Sequence, residues 1–344
     1  MNLTMRSWSL NTYCLSKAWF KTHCVDLRVQ DVTKIMSSIK SWLYGDMLLK
    51  PEEIIMTRPP SQGGLGVHHV KMKALAGLIT TFLETACNPK FHRSMYHSNL
   101  FRFYVLEDTS VPDPGLPPFY SINFFQTIKK VHDESALNVC VMTERQWYRL
   151  LVEDKITMEE KENGQRKYIQ CRVELASPGT DWEQSWGLAR LPGLGPEHTS
   201  FLFKLLHQLI PTQKRVARTS PSTNSNCKNS NCSGVMVEDQ THALVYCSGN
   251  NGAGIRIVEA AQTLVPWQGA ERLLQLDGDV GQDDELAIVW WLAAGFMAIW
   301  EMRSAAKKIE PYLVRAQLEA KINLLRETKF EGALSRLENL LTKF

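Results

Sequence analysis

The sequence predicts a mainly α-helical chain that contains one small β-hairpin and one small metal-binding module. Three observations lead to this fold class. Apolar residues recur at helical spacing near both ends of the 344-residue chain. A short alternating segment surrounds Asn163-Gly164 in the middle. Four ligand-type residues then follow in a Cys-x4-Cys-x9-His-x4-Cys series. We therefore expect several helical regions joined by short irregular segments.

The first region, residues 1–110, is predicted to be helical. Between residues 8 and 44, apolar side chains recur every three or four positions among lysines, as in an amphipathic helix. Pro59-Pro60 and the run of glycines from Gly63 to Gly66 interrupt this pattern. A second helix is predicted to start near His69 and to continue through Leu83.

Residues 111–190 are predicted to connect the first region to the metal-binding module. Four prolines between 111 and 118 make its start stiff. Short helices are expected at Phe124–Lys130 and Glu144–Val152. The segments Ile156–Glu160 and Tyr168–Leu175 flank Asn163-Gly164, which is the strongest short-range signal for a β-hairpin.

Residues 191–250 contain the four candidate metal ligands, Cys227, Cys232, His242 and Cys247. Thiolate and imidazole are the ligands that zinc prefers, and four of them leave no open position. The spacing therefore predicts a structural zinc site, with Zn as the cofactor. The alternative is a chance grouping, since the chain has eight cysteines. The other five are scattered without paired spacing: Cys14, Cys24, Cys87, Cys140 and Cys171.

A basic segment precedes the metal ligands. Residues 201–230 carry cations and no acid, although the net charge of the chain is only +3. Together with nearby aromatic residues, the cations could contact a phosphate backbone. The predicted nucleic-acid-binding residues are Lys204, Lys214, Arg215 and Arg218. The alternative is a solvated helix end with no ligand.

Residues 251–344 are predicted to form a C-terminal helical region. Its most apolar stretch, Leu286–Trp300, is shorter than the roughly 20 residues that span a bilayer. Acids precede this stretch and bases follow it, as the helix dipole favours. We expect a buried helix and no membrane span. The membrane-associated alternative stays open at this point.

The motifs of common enzymes are not found in the chain. The glycines of Gly63–Gly66 and Gly249–Gly254 lack the Lys-Ser/Thr pair of a phosphate-binding loop. A zinc deaminase would need His-x-Glu and Pro-Cys-x-x-Cys, and neither occurs. Asp283-Asp284 opens an apolar helix, where a solvated helix start is the simpler interpretation.

Two separated stretches resemble non-LTR (LINE-type) retrotransposon reverse transcriptases. The first is similar to the region after the catalytic palm, and it comprises Trp42-Leu-Tyr-Gly45, Arg58-Pro-Pro-Ser-Gln-Gly-Gly-Leu-Gly-Val67 and Ala74-Leu-Ala-Gly-Leu78. The second resembles the zinc-binding region near the end of such polyproteins. It comprises Leu191-Pro-Gly-Leu-Gly195, the run from Phe203 to Arg215, in which a leucine-rich helix ends at Pro211, and the four candidate ligands with Glu238-Asp239 before the histidine. These stretches lie in the family's order and cover about two thirds of the chain.

The resemblance implies a parent activity of RNA-directed DNA synthesis, in which a thumb-like region 1–110 and the zinc region hold nucleic acid. The palm aspartates of the family, including the Tyr/Phe-x-Asp-Asp turn, are absent from the sequence. We therefore expect a non-catalytic chain that binds RNA or DNA weakly and without sequence preference. The alternative is a protein-interaction or assembly module that self-associates or docks a partner through Leu286–Trp300. No signal peptide is recognised, so reduced cysteines and a cytoplasmic or nuclear location are expected.

Overall fold

A computed structural model describes most of the chain. The described residues are 3–22, 27–45, 53–87, 95–117, 120–134, 138–152, 174, 177, 179–220, 223–232, 236–265, 269–277, 282–326 and 331–344. They form two compact units, each built from discontinuous segments. The N-terminal unit comprises Arg6–Gly45 and Val67–Ile169, and the C-terminal unit comprises Met1–Met5, Asp46–Gly66 and Gln170–Phe344.

The described residues are mainly helical, which confirms the predicted class. In chain order the α-helices are α1 (Leu3–Ser9), α2 (Ser16–Thr22), α3 (Val29–Tyr44), α4 (Glu53–Thr57), α5 (Val70–Cys87), α6 (Met95–Tyr104), α7 (Ile122–Glu134), α8 (144–152), α9 (Trp182–Leu188), α10 (Pro196–Leu206), α11 (Gln213–Thr219), α12 (Ala253–Gln262), α13 (Ala270–Gln275), α14 (Gln282–Ser304), α15 (Pro311–Leu325) and α16 (Glu331–Lys343). Among these residues the β structure is limited to one antiparallel bridge, between Asn226 and Val237. Most of the predicted hairpin, 156–175, lies outside the described residues.

The N-terminal unit is organised around α5. This helix packs against α2, α3, α6 and α7. Phe82 on α5 is fully buried and makes edge-to-face contacts with Phe124 and Phe125 of α7. Such aromatic pairs contribute about 0.5–1.5 kcal/mol beyond the area that they bury. The helix predicted to start near His69 therefore has its apolar face in the core of this unit.

One cysteine pair departs from the sequence expectation. Cys87 at the end of α5 and Cys140 form a disulfide, with their Cα atoms 6.0 Å apart. The two residues are separated by 53 positions, so no short spacing in the sequence indicates the pair. This pair differs from the expectation of reduced cysteines. The three cysteines of the metal-ligand series and Cys14 are free.

The C-terminal unit is organised around α14, which packs against α10, α12, α15 and α16. Its Trp291 is completely buried and donates its indole N–H to the carbonyl of Ile257 at 3.0 Å. Near the start of α14, Asp284 forms an ion pair with Arg336 of α16, whereas a solvated helix start was the expectation. The apolar stretch Leu286–Trp300 is thus the core of this unit, as predicted.

One helix among the described residues is long and apolar enough to cross a membrane. It covers Asp284–Ser304, and 78% of its most apolar window is buried inside the protein. Length and composition alone give weak evidence for a membrane span, because core helices share both features. Here the neighbouring helices of the same unit already cover the apolar surface.

Candidate metal centre

The first two candidate ligands are placed by a short antiparallel contact. Next to the Asn226–Val237 bridge, the Cys227 amide donates to the carbonyl of Met236 at 2.8 Å. The chain then turns, and the Cys232 amide donates to the carbonyl of Asn229 at 3.0 Å. This turn brings two thiols that are five positions apart onto the same side of the backbone.

The other two candidate ligands stand at the two ends of one helical turn, because His242 begins the turn His242–Tyr246 and Cys247 directly follows it. The Asp239 side chain accepts a hydrogen bond from the His242 amide at 2.9 Å and so fixes the start of this turn. At its end, the Cys247 amide donates to the His242 carbonyl at 2.7 Å. Local backbone geometry therefore sets the His-x4-Cys pair, as the spacing predicts.

All four predicted ligands converge. Their ligand atoms lie within 4.8 Å of one another, and all four residues are buried. The Sγ atom of Cys247 is 3.7 Å from those of both Cys227 and Cys232. A tetrahedron with Zn–S bonds of about 2.3 Å has sulfur atoms about 3.8 Å apart. The group can hold a metal ion.

The surroundings of the ligands favour a cation at the centre of the group. The Nε2 atom of His242 is buried and has no hydrogen-bond partner among the described residues, so it is free to ligate. Burial raises the pKa of Cys227 to about 12, so a thiolate here needs a positive partner. Burial also acts to raise the pKa of Cys232, but hydrogen bonds from Ser248 and the neighbouring thiols lower it below its ordinary value.

A partly buried arginine at the end of α14 contacts the cysteine sulfurs. Arg303 donates to Cys247 Sγ at 3.4 Å and to Cys227 Sγ at 3.7 Å. The same guanidinium forms an ion pair with Glu238, which is only 3% exposed. Desolvation acts to lower the pKa of Arg303, but the bond to Cys247 and the charge of Glu238 raise it above its ordinary value. The guanidinium therefore stays charged beside the thiols.

Glu238 also connects the metal centre to the basic helix α11. Its side chain accepts from the Gln213 amide at 3.2 Å, and its carbonyl accepts from the Lys214 amide at 3.0 Å. These amides are at the start of α11, where helix geometry leaves N–H groups without partners. The ligand-bearing segment thus determines where α11 begins and how its cations are presented.

Three of the four predicted nucleic-acid-binding residues line one cavity. Lys214, Arg215 and Arg218 of α11 border a space of about 220 Å³ in the C-terminal unit. Lys204 of α10 is not among the residues that line it. The structure therefore groups the three α11 cations and leaves Lys204 apart from them.

The glycine-rich motif of the first stretch contacts the second stretch inside the C-terminal unit. The His207 ring lies with its Nε2 atom 2.7 Å from the Gly63 carbonyl, so Nε2–H donates to it. Burial lowers the pKa of His207 to about 4, which keeps the ring neutral. Gly63 has φ +76, and a Cβ there would lie 2.5 Å from the Trp186 ring. This glycine therefore serves a tight, packed turn.

Sequence reasoning missed the residues around the ligands. In the sequence, Arg303 is an ordinary base at the C-terminal end of a helix. In the structure, its guanidinium contacts the sulfurs of two candidate ligands. Thr212 and Trp182, which line the cavity with the α11 cations, were not singled out. A buried position for a charged residue cannot be recognised from one sequence without its spatial neighbours.

Comparisons of the chain with protein-family models, with curated proteins and with solved structures find no match. The geometry of the metal centre and the motifs named above are the grounds for a functional proposal.

Proposed function

We propose that the chain is the non-catalytic C-terminal part of a LINE-type reverse transcriptase, which binds nucleic acid next to a structural zinc ion. The observation that carries the proposal is the connection made by Glu238. This residue pairs with Arg303 at the cysteine sulfurs and accepts the first amides of the basic helix α11. An ion held by the four ligands would therefore stabilise the position of three cations.

Zinc suits this ligand set. Three thiolates and one neutral imidazole around Zn²⁺ leave a net charge of about −1. The Arg303 guanidinium, 3.4 Å from Cys247 Sγ, offsets only part of this charge, because it is shared with the Glu238 carboxylate. When bound, the metal supplies folding free energy and no reaction, because four protein ligands leave no position for water or substrate.

The cations of α11 would contact phosphates without reading the sequence. Lys214 and Arg218 are at least partly exposed at the cavity, so phosphate oxygens can approach them. Contacts of this kind give dissociation constants of roughly 10⁻⁴ to 10⁻⁶ M at physiological salt. We expect no polymerase activity, since the family's palm aspartates do not occur in this sequence.

Salt dependence tests the nucleic-acid role. For a DNA duplex, each lost phosphate contact flattens the slope of log K against log salt by about one unit. The double substitution Arg215→Ala with Arg218→Ala should reduce the slope by nearly two. A matched control is Arg145→Ala with Arg149→Ala, because both residues are exposed on α8 and the change in net charge is identical. Equal slopes for both double variants would refute the role of α11.

The competing proposal is a protein-interaction or assembly module, in which the metal only stabilises the fold. The expected docking surface was Leu286–Trp300, but Trp291 and its apolar neighbours on α14 are buried against helices of the same unit. A partner could reach them only after that packing opened. A chain that binds no nucleic acid and elutes as a stable oligomer would favour this alternative.

A further inference from the structure

The cavity next to α11 is lined in part by apolar side chains, which suit a flat apolar group. Leu205, Leu206 and Leu274 line it together with the ring of Trp182. Its volume, about 220 Å³, is below the roughly 300 Å³ at which pockets for drug-sized ligands begin. It can therefore hold one small planar group and not a length of duplex.

Contacts with Trp186 and Ser177 fix the orientation of the Trp182 ring. Its ring stacks on Trp186 with centroids 5.2 Å apart, and Trp186 in turn stacks on His207 at 4.6 Å. The Trp182 indole N–H donates to the carbonyl of Ser177 at 3.1 Å. The ring is only partly buried, so it presents a pre-oriented aromatic surface at the cavity. Nucleobases stack on such surfaces whatever their sequence.

A buried hydroxyl on the cavity wall has no hydrogen-bond partner within the described part of the chain. Thr212 occupies the position before α11, where a threonine side chain normally accepts an amide of the first turn. Here Glu238 accepts the Gln213 and Lys214 amides instead. The Oγ1 atom of Thr212, a residue that is 1% exposed and lines the cavity, has no hydrogen-bond partner among the described residues. A buried polar atom without a partner is costly, and a rotation of the Thr212 side chain about χ1 would let a ligand in the cavity satisfy it.

The charges around the cavity suit a ligand with both anionic and amino groups. Three cations of α11 line it, together with the carboxylates of Asp239 and Glu271. Asp239 lies 3.6 Å from the Lys214 ammonium and offsets its charge, whereas Arg218 is exposed at the cavity. Arginine binds phosphate through paired N–H groups, whereas carboxylates accept hydrogen bonds from the amino groups of adenine or cytosine.

We propose that this cavity binds a single unpaired nucleotide, with its base against Trp182 and its phosphate toward Arg215 and Arg218. The inference rests on the proposed nucleic-acid binding and deepens it, because a base inside a duplex cannot enter the cavity. The chain should therefore prefer nucleic acid that carries an unpaired end over a fully paired duplex. The α11 cations alone would bind both through their phosphates.

The test compares a blunt DNA duplex with the same duplex carrying a short single-stranded overhang, by fluorescence anisotropy at one salt concentration. The wild-type chain should bind the overhang duplex more tightly. Trp182→Ala should reduce the preference for the overhang duplex by roughly fivefold to 100-fold, whereas Trp182→Phe should retain most of this preference. Tyr312→Ala is the control, because Tyr312 is an aromatic residue that is 67% exposed on α15 and does not line the cavity.

A second variant guards against misfolding of Trp182→Ala. Thr212→Val keeps the size of the side chain and removes the unpartnered hydroxyl. It should leave the melting temperature unchanged or higher, and it should weaken binding of the overhang duplex severalfold. Equal affinity of the wild-type chain for both duplexes, or no effect of either substitution on the preference, overturns the nucleotide site. Binding to neither duplex would instead overturn the proposed function.

Discussion

Arg303 at the end of α14 donates a hydrogen bond to the Cys247 sulfur at 3.4 Å, although 56 residues separate the two in sequence. This contact joins the central helix of the C-terminal unit to the candidate metal centre. The segment around Cys227 and Cys232 contains few apolar residues, whereas Ala243, Leu244 and Val245 of the second ligand segment are buried in the core of the unit. Folding of the first segment is therefore expected to depend on an ion.

Metal removal should unfold the ligand-bearing segments. Structural zinc in small modules contributes on the order of 10 kcal/mol, so a chelator should lower the melting temperature and increase proteolysis around 225–248. The helices of the N-terminal unit should stay intact, because its core contains none of the four ligands. Circular dichroism, limited proteolysis and metal analysis check this expectation, which includes one zinc ion per chain.

Cys232→Ser should have the same effect as the chelator. It removes one buried ligand, whereas Cys14→Ser changes an exposed free cysteine and serves as the control. If the Cys232 variant keeps a full equivalent of zinc and its thermal stability, the four residues do not form a metal centre.

Removal of the Arg303 charge should weaken metal binding without removing a ligand. Groups that hydrogen-bond to metal ligands typically change metal affinity by about 10-fold to 100-fold. We expect Arg303→Gln to lower zinc affinity in a competition titration with a chromophoric chelator. The zinc affinity of Arg303→Lys should lie between those of the wild-type chain and Arg303→Gln. A lysine keeps the charge but cannot reach two sulfurs and Glu238 together. Unchanged affinity in the glutamine variant would show that Arg303 only packs beside the site.

Alanine substitutions at Gly63 and Gly252 separate the cost of backbone strain from the cost of overpacking. Both have a left-handed backbone, with φ of +76 and +79, but a Cβ at Gly252 meets nothing within 4 Å. Gly252→Ala should cost about 1–2 kcal/mol of unfolding free energy from strain alone. Gly63→Ala should cost about 1–3 kcal/mol more, since its Cβ would overlap the Trp186 ring. Denaturant unfolding measures both, and equal losses would mean that the Trp186 contact is not tight.

The parts of the fold that local patterns determine could be predicted from the sequence. Apolar spacing indicated α5 and α14, and the short Cys and His spacings indicated that the four candidate ligands come together, since each pair is closed by a local turn. Long-range pairings could not be predicted. The bond of Cys87 to Cys140 and the contacts of Arg303 depend on which helices pack together. The partner-docking surface expected on Leu286–Trp300 has no support, because neighbouring helices cover this stretch. That packing also depends on which helices pack together.

The last prediction concerns pH and the buried His198 of α10. Its ring is 4% exposed, neither ring nitrogen has a partner among the described residues, and Trp290 lies 5.3 Å away. Burial, with a smaller contribution from Lys321, lowers the pKa of His198 to about 4. Between pH 4 and the ordinary histidine pKa of about 6.5, the unfolded chain therefore binds the proton and the folded chain does not. Stability is retained above this window and is lost as the pH falls through it, by on the order of 3 kcal/mol.

Within this window, the slope of the unfolding free energy against pH should be smaller for His198→Leu than for the wild-type chain. The difference should correspond to the uptake of up to one proton on unfolding. This variant should also be more stable than the wild-type chain near pH 5, because leucine carries no buried polar nitrogen. His132→Gln is the control, since the His132 side chain is 41% exposed. Denaturant unfolding at several pH values with saturating zinc measures the slopes. Identical slopes for the wild-type chain and His198→Leu would show that His198 takes up its proton equally in the folded and unfolded states.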